Sequence, residues 1–166
     1  MKLLGVGLLA LIALPLFSKA PTEKITLSRE GRSADITDAV RLDQFAFSVG
    51  PQPCVAADGF GADVCSTPKA SWIINWIRGP IANPKASLPR YDVTYHFGMG
   101  EKRVYVVYFS YSPVAKEGYI YLPGHGEPHY QANVNMLFHG KQWEGHWFLA
   151  TPEWTSAAQE LIARLR

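Results

Sequence analysis

From position 91 onward the chain places an apolar residue at every second position. Tyr91, Val93, Tyr95 and Phe97 alternate with Asp92, Thr94 and His96. A period of two over that length is the signature of a strand with one face in the core and one face wet. Residues 98–102 (GMGEK) read as a hairpin turn, and residues 103–111 (RVYVVYFSY) are apolar on both faces, which predicts a central strand. Residues 118–122 (GYIYL) are expected to pair with it. Residues 133–138 and 146–150 extend the sheet around a turn at 140–145, so the pattern predicts an antiparallel meander.

Helical signals bracket this sheet. Residues 36–38 (ITD) supply a cap, and Ala39, Leu42, Phe45, Ala46 and Val49 recur at helical spacing until Gly50-Pro51 stops the element. Thr151 caps a last helix with Pro152 at its first position and an apolar stripe of Trp154, Ala158, Leu161, Ile162 and Leu165. Lys24 to Leu27 form a short β-like stretch before a polar turn at 28–33, and residues 72–77 (WIINWI) favour strand over a turn of helix. The fold class expected is therefore α+β: an antiparallel β-meander with an N-terminal and a C-terminal helix packed on one face. His96, Tyr105, Tyr119 and Tyr121 are expected to share the other face.

The N-terminus has the charged, apolar and small-residue zones of a signal peptide: Met1-Lys2, an uncharged run over residues 3–17, then Ser18-Lys19-Ala20. As a helix that run would reach about 22 Å, short of a bilayer's roughly 30 Å hydrocarbon core. Pro21 follows the small residues directly and disfavours cleavage there. The two outcomes are removal of residues 1–20 and their retention as an N-terminal membrane anchor attached through residues 3–17. Residues 21–166 then form a single extracytoplasmic domain, secreted or periplasmic. The formal charge of +2 falls to zero once Lys2 and Lys19 are removed. A neutral domain without a basic stripe argues against nucleic acid as a partner.

In an oxidising compartment Cys54 and Cys65 are expected to form a disulfide across a Pro- and Gly-rich loop. The densest chemical candidate is residues 123–130 (PGHGEPHY), with His139 and His146 further on, in which His125, Glu127 and His129 offer imidazole and carboxylate groups. Gly126 and Pro128 rule out the helix that would put both imidazoles on one face, so a turn with histidines bonded to backbone is the simpler reading. Asp58 to Asp63 lack the acid pattern of a calcium loop. No nucleophile elbow, phosphate loop or dinucleotide fingerprint is present in the sequence, and no cofactor is expected.

Five tryptophans and eight tyrosines offer material for a sugar-stacking platform or a peptide groove, although core packing is the usual and simpler role of such residues. Trp143, with Tyr119, Tyr121 and Tyr130, is the better candidate for a binding face, because Trp72, Trp76, Trp147 and Trp154 lie in segments expected to be at least half buried. Together with the Ile25-Thr26-Leu27, Ile36-Thr37-Asp38 and Phe45 positions, the runs 118–124 (GYIYLPG), Glu127-Pro128, Tyr130, Asn133, 145–147 (GHW) and 152–154 (PEW) resemble a group of uncharacterised exported bacterial proteins. That resemblance implies export and a single domain, and no activity. The function expected is a non-enzymatic module that binds a ligand or an envelope protein through the open sheet face and the loop from Tyr119 to Tyr130. A small metal-assisted hydrolase using His125, Glu127 and His129 is the main alternative, and a stress-related or purely structural envelope protein whose aromatics are all core is a third.

Overall fold

The computed structural model describes residues 21–45, 73–84, 87–98, 103–134 and 143–165. Within them lies a six-stranded antiparallel sheet in the order β2-β1-β3-β4-β5-β6. The strands are β1 (Thr22–Arg29), β2 (Arg32–Ile36), β3 (Arg90–Phe97), β4 (Arg103–Ser112), β5 (Glu117–Tyr121) and β6 (Trp147–Leu149). Three helices accompany them: α1 (Ala39–Gln44), α2 (Tyr130–Val134) and α3 (Pro152–Arg164).

Alternation decides which side chains enter the core. Ile25 and Leu27 of β1, Ala34 and Ile36 of β2, Val93 and Tyr95 of β3, Tyr105, Val107 and Phe109 of β4, Ile120 of β5 and Phe148 of β6 are all buried in one cluster. Helices α1 and α3 close that face. Phe45, at the end of α1, meets Trp154 of α3 edge-on with ring centroids 5.2 Å apart, and Trp154 also meets Phe109 at 6.3 Å. Both helices start where their caps place them. Asp38 accepts a hydrogen bond from the Arg41 amide, and Thr151 accepts one from the Trp154 amide with Pro152 at the first helical position.

Four local expectations are corrected. The polar turn at 28–33 is only two residues long: β1 runs to Arg29, β2 starts at Arg32, and Glu30 and Gly31 both take positive φ (52° and 78°), as a tight hairpin with matched twist requires. Residues 73–78 form no strand. Ile74 makes an isolated bridge to Ala150, and Trp76–Arg78 is a 3₁₀ turn whose Trp76 ring packs on Phe148 at 5.1 Å. The strand expected from Asn133 is instead the end of helix α2. Tyr105 points into the core, because it pairs with core-facing Tyr95 across β3 and β4. Residues 1–20, Ala46 to Val49, Cys54, Cys65, Asp58 to Asp63, Trp72, residues 99–102, His139 and residues 135–138 lie outside the described residues.

Candidate binding face

The face of the sheet opposite α1 and α3 carries an aromatic row set by register. Asp92 of β3 is paired with Tyr108 of β4, Tyr108 with Tyr121 of β5, and Tyr121 with Trp147 of β6. Directly opposed residues on antiparallel strands project to the same side within contact distance, so these four side chains line up across the sheet. The Tyr108 and Tyr121 rings lie 6.2 Å apart and within 8° of parallel. Tyr121 and Trp147 follow at 4.9 Å with a 38° tilt. At the other end the guanidinium of Arg90 sits 4.0 Å from the Tyr108 ring centroid, a cation–π contact. Arg90 is exposed, Tyr121 and Trp147 are half-buried, and Tyr108 is buried.

Residues 122–134 cover Tyr108. After β5 the chain reaches Pro123, which has no amide hydrogen to continue the ladder, and it leaves the sheet. Gly124 there passes so close to Gly145 that a Cβ on it would sit 2.9 Å from the Gly145 Cα. A reciprocal turn follows: the Gly124 amide donates to Glu127 Oε2 (2.6 Å), and the Glu127 amide donates to the Gly124 carbonyl (3.0 Å). The Tyr121 hydroxyl lies beside the Glu127 carboxylate, and its phenol is pushed up to about 12, chiefly by desolvation and then by Glu127. The Tyr108 hydroxyl donates to the Pro128 carbonyl (3.1 Å), and the His129 ring meets Tyr108 edge-on at 6.1 Å. Burial, the largest cause, raises the Tyr108 phenol, and Asp92 and Glu127 add to it against the opposing charge of Arg90.

Helix α2 then returns to the sheet through one side chain. Asn133 is buried, its Oδ1 accepting from the Val106 amide (2.9 Å) and its Nδ2 donating to the Val106 carbonyl (2.7 Å). A carboxamide has the donor and acceptor of a peptide unit, so Asn133 prolongs the ladder on β4 where β5 has ended. Sequence reasoning missed this residue because it read Asn133 as the start of a strand.

The residues singled out in the sequence are divided among four places. Tyr121, Glu127 and His129 converge on Tyr108. His125 is exposed and packs on Tyr130 (5.3 Å), near whose hydroxyl Glu144 lies. Tyr119 is buried on the same face of the sheet, one register step from the row, and donates to Glu117 (3.0 Å). Trp143 stands elsewhere, against Trp76 (5.8 Å) and Phe148 (6.0 Å) at the margin of the core. The two imidazoles are thus held on different rings, and one Glu127 oxygen is committed to Gly124. No group of three or more His, Cys, Asp or Glu side chains among the described residues is placed to hold a metal ion.

A separate polar cluster occupies the β1–β2 end of the same face. Thr26 donates to Asp35 (2.8 Å) and lies 3.0 Å from His96 Nε2, with Lys24 at 3.5 Å from Asp35. A hydroxyl has one proton. With that proton on Asp35, Thr26 accepts from His96, which fixes the Nε2–H tautomer. No helix among the described residues is long and apolar enough to cross a membrane. No family, curated protein or solved structure matches the chain.

Proposed function

We propose that this protein is a non-enzymatic binding module of the bacterial envelope that engages a ligand or a partner protein through the Arg90–Tyr108–Tyr121–Trp147 row and the adjoining 125–130 rim. The observation that carries the reading is the row itself. The core under α1 and α3 does not account for it, because it stands on the opposite face of the sheet, where residues 122–134 cover Tyr108 while the ends of the row, Arg90 and half-buried Trp147, reach solvent. Exposed His125, Glu127 and His129 border it with polar groups. Rigid aromatic faces beside a few placed polar groups give contact area with little entropy loss, the composition typical of recognition surfaces. Export with residues 1–20 as signal or anchor belongs to the same proposal, as does the resemblance to uncharacterised exported proteins.

The test places a photoreactive residue either at His125, on the rim, or at Glu160, on the outer side of α3, in cells making the full chain. A defined adduct is expected from the first position only. It should disappear with Arg90→Ala and with Trp147→Ala when circular dichroism shows the fold retained. Equal adducts from both positions, or adducts indifferent to both substitutions, would remove the row as the recognition surface.

A further inference from the structure

We infer that residues 122–134 are a latched strap, which opens by local unfolding to uncover Tyr108 and Val106 and so completes the aromatic slot; the inference rests on the reading of this face as the recognition surface. One end of the strap is anchored. The Leu122 amide donates to the His146 carbonyl (3.2 Å), and the Gly145 amide donates to the Leu122 carbonyl (2.8 Å). Beyond Gly124 the strap is held to the sheet by separable polar latches: the Tyr108 hydroxyl on the Pro128 carbonyl and the Asn133 carboxamide on Val106. Residues 125–129 are exposed throughout, so they contribute little apolar burial to keep the strap closed. Two backbone positions, Gly126 (φ 84°) and His129 (φ 68°), take left-handed conformations, and the one at His129 is disfavoured for a residue with a Cβ. Few apolar contacts, local polar bonds and a strained residue are the features of segments that open below the global unfolding threshold.

The Asn133 latch makes the opening measurable. Amides of a strand point alternately to its two sides, so the Val106 amide faces the strap, and those of Tyr105 and Val107 face β3. Three consecutive residues of one central strand therefore report two different events. Native-state hydrogen exchange on the full chain, followed by NMR over a range of low denaturant, reads them separately. With a strap that opens locally, the Val106 amide exchanges roughly tenfold or more faster, relative to its intrinsic rate, than the other two, with little dependence on denaturant. Asn133→Ala should widen that ratio whatever it does to global stability. Coincident exchange of all three amides with the denaturant slope of global unfolding would overturn the inference, as would a ratio unchanged by Asn133→Ala. The exchange result does not depend on any partner, so its failure is distinct from failure of the crosslinking test.

Discussion

Gly118 shows how closely a single residue sets the spacing of sheet and helix. It lies in β5 opposite Tyr111, and its carbonyl accepts from the Ala150 amide (2.8 Å). A Cβ there would stand 2.5 Å from Thr155 Oγ1, 2.8 Å from a Phe109 ring carbon and 3.1 Å from the Ala150 methyl. Thr155 itself is tied down by donation to the Thr151 carbonyl (2.8 Å). Helix α3 therefore rests on bare β5 backbone, and Gly118→Ala is expected to cost about 1–3 kcal/mol in urea denaturation, through overpacking. Gly126 provides the comparison. It has nothing within 4 Å of a built Cβ but a φ of 84°, so Gly126→Ala should show strain alone, about 1 kcal/mol. A Gly118→Ala loss no larger than that of Gly126→Ala would mean that α3 stands off from the sheet.

At the scale of elements, α1 is a short helix whose attachment depends on its last side chain. None of Ala39–Gln44 is buried, whereas Phe45 is 2% exposed and packs on Trp154. Phe45→Ala should cost about 3–5 kcal/mol of global stability by thermal or urea unfolding, the range for emptying a buried aromatic site. A loss below about 1 kcal/mol would detach α1 from the core. Both helices on this face were legible in the sequence because their signals are local: a capping side chain, a proline at the first position of α3, and apolar residues three and four apart. Strands β3, β4 and β5 were legible for the same reason. Helix α2 was not, since five residues from Tyr130 carry no periodicity, and Asn133 acquires its role only from Val106, far away in sequence. The 3₁₀ turn at Trp76 was lost in an apolar run that any buried conformation would satisfy. In the binding face, Tyr121, Glu127 and His129 stood out as residue types. Arg90, Tyr108 and Trp147 did not, because their alignment depends on strand register, and a period of two does not specify register.

Across the whole molecule, tyrosines are distributed so that both faces of the sheet respond to alkali in the same direction. Tyr95 and Tyr105 lie in the core, where desolvation holds their phenols far above the ordinary range, with Glu144 adding to the effect at Tyr105. On the opposite face Tyr121 is pushed up to about 12 by desolvation and by Glu127. In the unfolded chain a tyrosine ionises near pH 10. Above that pH the unfolded state has lost protons that the folded state keeps, so the unfolded chain binds fewer protons and stability falls as pH rises. The contribution of Tyr121 is therefore complete below about pH 10 and is lost as pH rises through its folded value of about 12. Urea midpoints measured at intervals from neutral pH to about 11 should stay level as far as the tyrosines are concerned and then drop. The tyrosinate absorbance of the buried rings should appear together with loss of the circular dichroism signal. Tyr121→Phe should shallow the drop without abolishing it, because Tyr95 and Tyr105 still resist ionisation. Full tyrosine titration near pH 10 with the fold intact would instead place these hydroxyls in contact with water, and with it would fall the closed arrangement of strap, sheet and core.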